Sequence, residues 1–146
     1  MVNKDVIETL ELNLKFTKED IEKLHIFHDE LLAYNKKYNL ISKSTELDIW
    51  NRHIFDSAQL VNYINFKENK SISDIGTGAG FPGIVLAIFN KNKSFHVKLY
   101  EKSNVKCDFL DIIRKKIDVD YDIFGDYKNE IIDSEYVVSR AYKKLE

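Results

Sequence analysis

The sequence predicts an α/β fold in which a nucleotide-binding strand–turn–helix unit follows a helical region. Residues 73–83 read S-D-I-G-T-G-A-G-F-P-G, between a short alternating segment and a short apolar one. Strand and helix patterns alternate after this loop, whereas the residues before 66 show helical periodicity only. We therefore expect an N-terminal helical region at residues 1–66 and a sheet region at residues 67–146, packed as one compact unit.

The composition is that of an ordinary globular chain. It has 146 residues, of which 44% are hydrophobic and 32% charged, and its net charge is −2. No apolar run approaches the ~18 residues of a membrane span, and no signal peptide is evident, so we expect a cytoplasmic protein without a membrane partner. The single cysteine, Cys107, is expected to pack as a small apolar group. The sequence predicts no metal site, and any nucleic-acid surface has to be local.

Two capping patterns predict the long helices of the first region. Thr17 followed by Asp20 resembles a capping box, and Thr45 followed by Asp48 repeats the signal. Apolar residues then recur at helical spacing, with Leu47 the first in the second helix. The predicted helices span residues 4–12, 17–38 and 45–64.

The sheet region reads as four strands with helices between them. Pro82 stands at a plausible first helical position after the glycine loop. The predicted strands span residues 71–75, 96–101, 119–124 and 135–139, and the predicted helices span residues 82–89, 104–116 and 127–132.

The glycine spacing restricts the class of ligand that the loop can bind. Gly76, Gly78 and Gly80 alternate, whereas a dinucleotide fingerprint requires glycine where this chain has Phe81. The tighter loop suits a ligand with a ribose and an amino-acid part, whose positive amino group Asp74 at the strand end would face. A plain glycine-rich turn and an NAD-binding oxidoreductase are the alternatives.

Glu101 is the second candidate ligand-binding residue. It ends the alternating segment of residues 96–101, where an acidic residue in nucleotide-binding α/β folds accepts ribose hydroxyls. The alternative is a solvated charge at a strand end.

Four segments resemble the bacterial small-subunit rRNA guanine-N7 methyltransferases, the RsmG (GidB) family. They are Y-N-K-K-Y-N-L-I-S at residues 34–42, R-H-I-F-D-S at 52–57, D-I-G-T-G-A-G-F-P-G at 74–83 and V-S-R-A at 138–141. The loop alone is typical of any class I methyltransferase, whereas the loop with the preceding R-H-I-x-D-S segment is far more specific. The resemblance covers roughly residues 35–141.

The resemblance implies a class I, Rossmann-like sheet that binds S-adenosylmethionine (SAM), and methyl transfer to N7 of a guanine in 16S rRNA. The implied partner is 16S rRNA or the small ribosomal subunit. The candidate cofactor-binding residues are Asp74, Gly76, Thr77, Gly78, Gly80, Phe81, Glu101, Lys128, Asn129 and Arg140. The candidate RNA-binding residues are Lys36, Lys43, Arg52, His53, Asp56 and Pro82. The chain departs from the family after the third strand, where Y-K-N at residues 127–129 replaces R-A-E and puts a glutamate contact in doubt.

The chemistry requires few catalytic groups. Guanine N7 already has an in-plane lone pair, so no general base is needed, and holding the reactants in line is the main task. We expect Arg140 to position the reactants, and His53 and Asp56 to act through hydrogen bonds that bind RNA or brace the glycine loop.

The predicted sheet is incomplete. Class I methyltransferases usually have seven strands, whereas this sequence supplies four, in the expected order 3-2-1-4. Strand four would then have an open edge, which predicts a possible dimer through that edge. A truncated or non-catalytic SAM- or RNA-binding remnant of the family is therefore the main alternative function.

Overall fold

The computed structural model describes residues 3–140 of the chain. Its helical part comprises α1 (Asn3–Leu12), α2 (Lys18–Tyr38), α3 (Lys43–Glu46), a π-helical segment (Trp50–Phe55), α4 (Asp56–Ala58) and a 3-10 segment (Gln59–Tyr63). The sheet part comprises β1 (Ser71–Ile75), α5 (Gly83–Phe89), β2 (His96–Tyr100), α6 (Asn104–Ile117), β3 (Asp122–Phe124), a 3-10 turn (Tyr127–Asn129) and β4 (Tyr136–Val138). Ala141, the last residue of the family resemblance, lies outside the described residues.

The four strands form one parallel sheet in the order β3-β2-β1-β4. The predicted order and the predicted α/β class are confirmed. β1 is central and buried along its whole length. Because all strands run in one direction, their carboxyl ends meet at one edge of the sheet, where α/β proteins bind their ligands.

The predicted capping box at the start of α2 is confirmed. The Thr17 hydroxyl accepts from the Asp20 N–H at 3.0 Å, and the Asp20 carboxylate accepts from the Thr17 N–H at 3.0 Å. Thr17 is thus the cap, and the helix itself begins at Lys18. The helix ends at Tyr38, and the next residue, Asn39, caps it in a left-handed conformation with φ 50°.

The prediction of one continuous helix over residues 45–64 is wrong. Ser42 caps the short α3, and the Asp48 carboxylate accepts from the Asn51 N–H at 3.3 Å. Ser42 and Asp48 are six residues apart and each caps different backbone N–H groups. Two separate helical segments therefore begin in a region where one helix was expected. Leu47 falls between them and is 89% exposed, although the pattern put it on the apolar face.

One apolar core joins the helical region to the sheet. It includes Leu24 and Phe27 of α2, Ile54 of the π-helical segment, Leu99 of β2 and Phe109 of α6. The helices therefore form one wall of the same core that the strands fill. The domain boundary at residues 66 and 67 stays a prediction.

The fourth strand is the least developed part of the sheet. β4 is shorter than the predicted 135–139, pairs with β1 over three residues, and leaves Val137 exposed. Within residues 3–140 no strand covers its other edge, and α1 packs instead on α2 and the π-helical segment. The third strand and the following helix are also shorter than predicted. None of the helices in residues 3–140 has the length and apolarity needed to cross a membrane.

Candidate active site

The loop between β1 and α5 leaves open space beside two of its glycines. Gly76 and Gly78 have φ of 68° and 62°, which side-chain-bearing residues rarely adopt. A Cβ built on either one would meet no heavy atom within 4 Å. Because the backbone carries no side chain here, a ligand can approach the main chain of the loop closely, although the Gly76 N–H already donates to the Tyr100 carbonyl at 2.9 Å.

The other two loop glycines serve packing instead. A Cβ on Gly80 would lie 2.4 Å from Ile84 Cδ1, and one on Gly83 would lie 2.1 Å from Leu99 Cδ2. Glycine at position 83 therefore lets α5 lie close to the sheet, whereas glycine at position 80, with φ of 105°, avoids the side chains of Ile84 in α5 and Leu110 in α6. Pro82, expected at the RNA surface, is buried at the start of α5. The structure thus assigns Gly80 and Pro82 a place inside the fold.

Asp74 lies beneath the loop and ties its two ends together. Its Oδ2 accepts from the Thr77 hydroxyl at 2.6 Å and from the Gly83 N–H at 2.9 Å. Its Oδ1 is buried and has no hydrogen-bond partner among the described residues. Burial raises the pKa of Asp74 to about 7, against the lowering effect of these two hydrogen bonds. Its expected contact with a ligand's amino group stays a prediction.

Glu101, the residue after β2, bonds to the middle of the loop through the Gly78 N–H. Its Oε1 accepts from the Gly78 N–H at 2.9 Å, and its Oε2 accepts from the Ser103 N–H at 2.9 Å. The carboxylate is buried, and each oxygen keeps a lone pair for a further donor. Cys107 is half-buried nearby and donates its thiol to the Glu101 carbonyl at 3.2 Å. The sequence did not single out Ser103, although Ser before a helical pattern is a capping signal.

His53 braces the loop by stacking. Its ring lies 4.8 Å from the Phe81 ring at an interplanar angle of 22°, and Phe81 stacks in turn on Phe27 at 5.0 Å. Both ring nitrogens are buried without a hydrogen-bond partner in residues 3–140, so the hydrogen bonds expected of His53 are absent there. Burial, helped by the charges of Arg140 and Arg52, lowers the pKa of His53 to about 4, and the ring is neutral at physiological pH.

Arg140 joins the end of β4 to the helical region. Its guanidinium lies 3.2 Å from the Asp56 carboxylate, donates to the Arg52 carbonyl at 3.0 Å and donates to the Ser57 hydroxyl at 3.4 Å. Its positive charge also lowers the pKa of His53 and of Asp74, so Arg140 lies near both. The structure therefore brings Asp56 and Arg140 together across 84 residues of sequence, a contact that local patterns do not reveal.

The remaining candidates lie at the surface around this edge. Lys128 and Asn129 are exposed on the turn after β3, and the Asp126 carboxylate accepts from the Lys128 N–H at 3.0 Å. The loop that bears them follows Phe124, whose carbonyl accepts from the Glu101 N–H at 3.1 Å. The exposed cations Lys36, Lys43 and Arg52 form no ion pair within residues 3–140.

Comparison with known proteins identifies the family. The family model of rRNA small subunit methyltransferase G (GidB) matches residues 20–146. Ribosomal RNA small subunit methyltransferase G of Rickettsia prowazekii is 43% identical over 133 residues, which cover 90% of this chain and 68% of that protein. The same-named protein of Pelagibacter ubique is 34% identical over 139 residues, which cover 91% of this chain and 65% of that protein. The chain spans about two thirds of the length of these relatives. It therefore belongs to the rRNA small subunit methyltransferase G family, as the four motifs predicted.

Proposed function

We propose that this protein transfers a methyl group from SAM to N7 of a guanine in 16S rRNA. The names of the relatives support rRNA of the small subunit as the substrate, and methyltransferases of this family imply SAM as the cofactor. The observation that carries the proposal is the hydrogen bond from Gly78 to Glu101. It fixes a bare, positive-φ loop and a carboxylate side by side at the carboxyl ends of β1 and β2.

The residues at this edge fit SAM. The open space beside Gly76 and Gly78 would admit its amino-acid and ribose parts. Glu101 has lone pairs left for ribose hydroxyls, and the exposed turn with Lys128 and Asn129 would lie beside the adenine. When bound, SAM supplies a methyl group that is attached to a positively charged sulfur. A nucleophile attacks the carbon of this methyl group directly.

The chain's own residues would position and desolvate the reactants. Guanine N7 needs no deprotonation, and this agrees with a site whose histidine is neutral and whose ring nitrogens have no hydrogen-bond partner within residues 3–140. Arg140 has a fixed guanidinium at the end of β4, where it would hold the incoming base or its phosphate. Proximity and orientation of this kind can supply about 7–11 kcal/mol of a barrier.

RNA binding would use the exposed cations of the helical region. Lys36, Lys43 and Arg52 lack carboxylate partners in the described part of the chain, so their charges are available to phosphates. An rRNA substrate also implies that the protein acts in the cytoplasm, where ribosomal subunits assemble.

Methyl transfer is tested directly with tritiated SAM. The protein is incubated with deproteinised small-subunit rRNA or with intact small subunits, and the RNA is digested to nucleosides. We expect label in 7-methylguanosine. Label in another nucleoside would refute the N7 assignment, and SAM binding without any transfer would favour the non-catalytic alternative.

The open edge of β4 is tested by the mass of the protein in solution. We propose that two copies pair through this edge, because Val137 is exposed and no strand within residues 3–140 pairs with the outer edge of β4. Light scattering should give the mass of a dimer, and Val137→Lys should shift it toward the monomer. A SAM-competent monomer of the parent protein would contradict this proposal.

A further inference from the structure

Two tyrosines form a stacked pair at the C-terminal end of α2. The rings of Tyr34 and Tyr38 lie 5.3 Å apart at an interplanar angle of 30°. Tyr34 also packs on Phe109 of α6, with ring centroids 5.2 Å apart. The inner ring is therefore held by the core, whereas Tyr38 is 41% exposed. The pair presents an aromatic surface to solvent, and its inner ring packs on α6.

A continuous series of ring contacts joins this pair to the glycine loop. Phe109 lies 6.4 Å from Phe27, and Phe27 stacks on Phe81 of the loop at 5.0 Å. α6 begins at Asn104, just beyond the carboxyl end of β2, and Tyr34 packs on the first part of α6. Tyr38, one turn further along α2, therefore lies toward the same edge of the sheet as the candidate active site. A nucleic acid whose target base reaches the loop would pass close to Tyr38.

The charges around Tyr38 favour a polyanion. The ammonium of Lys37 lies 5.2 Å from the centroid of the Tyr38 ring. The lysines of this end of α2 and α6, namely Lys36, Lys37, Lys102 and Lys106, form no ion pair within residues 3–140. The cations at the opposite end of the same helix pair are each within 4 Å of a carboxylate: Lys23, Arg114, Lys115 and Lys116.

We propose that Tyr38, backed by Tyr34 and flanked by Lys37, stacks an unpaired base of the RNA substrate next to the methylation site. Aromatic rings interleaved with free cations are how proteins bind single-stranded nucleic acid, because every base has a π-face and every link has a phosphate. The inference rests on the proposed function and adds a defined contact to it. It assigns Tyr38 to RNA binding alone, with no part in binding SAM.

The test compares three variants of the whole protein. Tyr38→Ala removes the ring, Tyr38→Phe keeps it, and Tyr63→Ala removes a tyrosine that is 79% exposed elsewhere. Tyr63 lies near the amino ends of the strands, since the Asn65 N–H donates to the Tyr136 hydroxyl at the start of β4. Affinity for a small-subunit rRNA transcript is measured by filter binding, and affinity for SAM by calorimetry.

We expect Tyr38→Ala to raise the Kd for the transcript at least about fivefold, the lower end of one base stack. Tyr38→Phe should stay within about twofold of the parent, and Tyr63→Ala should match it. SAM affinity should be the same in all of them. In a salt titration, Lys37→Gln should reduce the slope by about 0.7, the value of one phosphate contact on a single strand, whereas Lys115→Gln should not.

The outcomes separate this inference from the proposed function. If the parent methylates and binds rRNA and Tyr38→Ala binds it equally well, the stacking platform is wrong and the proposed function stands. An equal loss in Tyr38→Phe and Tyr38→Ala would also refute stacking, because the hydroxyl would then carry the contact. If the parent neither binds nor methylates the transcript, both proposals fail.

Discussion

The two ends of the parallel sheet differ in how their polar groups are satisfied. At the amino ends, the hydroxyls of Ser71 and Ser73 bond to Ser134 at 3.0 and 2.7 Å, and the Glu135 carboxylate accepts from the Ser71 N–H at 2.9 Å. At the carboxyl ends, the His53 nitrogens and Asp74 Oδ1 are buried with no partner in residues 3–140. A buried polar atom left in this state costs about 1–3 kcal/mol.

This difference separates stability from function in the molecule. At the amino ends, the side chains of Ser71, Ser73, Ser134 and Glu135 bond to partners within the protein and hold β1 to the start of β4. Among the described residues, the carboxyl ends combine buried polar atoms without a hydrogen-bond partner, glycine backbone and cations without an ion pair, which is typical of a site that binds other molecules. Substitutions at the amino ends should therefore lower the free energy of unfolding, whereas substitutions at the carboxyl ends should reduce ligand binding or activity.

The largest effect is expected at Gly78. Gly78→Val should abolish SAM binding, because the branched side chain would occupy the open space beside the loop and φ of 62° disfavours it. Gly78→Ala has the same strain, about 1–2 kcal/mol, with little bulk, and should retain weakened binding. Calorimetry measures both affinities, and circular dichroism checks that both variants fold. Undiminished affinity in Gly78→Val would remove the loop from the cofactor site.

Arg140 should come next. Arg140→Ala is expected to reduce single-turnover methylation at least about tenfold, since a positioned guanidinium worth ~1.4 kcal/mol in the transition state is lost. Arg140→Lys should restore little of it, because an ammonium lacks the planar set of donors. Asp56→Asn is the matched control, as it breaks the 3.2 Å ion pair while leaving Arg140 in place. If Arg140→Ala stays within about twofold of the parent, the residue serves only to join β4 to the helices.

The shifted pKa values of Asp74 and His53 predict opposite dependences of the free energy of unfolding on pH. The folded-state pKa of Asp74 is raised to about 7, so the folded protein binds one proton more than the unfolded chain between pH ~4 and 7. Asp74 therefore makes stability fall as pH rises through that window. The folded-state pKa of His53 is lowered to about 4, so the unfolded chain binds the extra proton between pH ~4 and 6.5, and stability rises with pH.

Single variants should reveal each dependence. Relative to the parent, Asp74→Asn should gain stability as pH rises from 4 to 7, because the opposing effect of the carboxyl is gone. His53→Phe keeps a ring on Phe81 and should show the reverse trend between pH 4 and 6.5. Urea denaturation at several pH values measures both. Parallel pH profiles of the parent and both variants would mean that neither pKa is shifted in the folded protein.

The smallest effect is expected at the amino ends. The Lys91 ammonium donates to the Asp20 carboxylate at 2.6 Å and to the Ile88 carbonyl at 2.8 Å. Lys91→Met should lower the free energy of unfolding by about 1–2 kcal/mol, because the buried Asp20 loses a donor. SAM affinity should not change, and Lys93→Met, at an exposed lysine that forms no ion pair within residues 3–140, should change neither quantity. A loss of SAM affinity in Lys91→Met would contradict the prediction that the amino ends of the sheet affect stability alone.

Features set by neighbouring residues could be predicted from the sequence. The capping box of Thr17 and Asp20 and the positive-φ glycines depend on a few adjacent positions. The order of the strands was expected from the resemblance to class I methyltransferases, and the structure has that order. These parts of the fold and the loop were therefore predicted correctly.

Features set by distant contacts could not be predicted in this way. The stacking of His53 on Phe81 joins positions 28 residues apart, and the helical periodicity around His53 gave no sign of it. Leu47 was placed on an apolar face because periodicity does not register the competing cap at Asp48. Pro82 was named a candidate RNA-binding residue from its motif, and the structure shows that it is buried at the start of α5.

The stacked rings of Phe27, Phe81 and His53 also connect two binding events. Phe81 belongs to the proposed cofactor loop, whereas both of its neighbours belong to the helical region proposed to bind RNA. A shift of these helices on RNA binding would change the loop, and thermodynamic linkage makes any such effect reciprocal. If rRNA raises the affinity for SAM by some factor, SAM must raise the affinity for rRNA by the same factor.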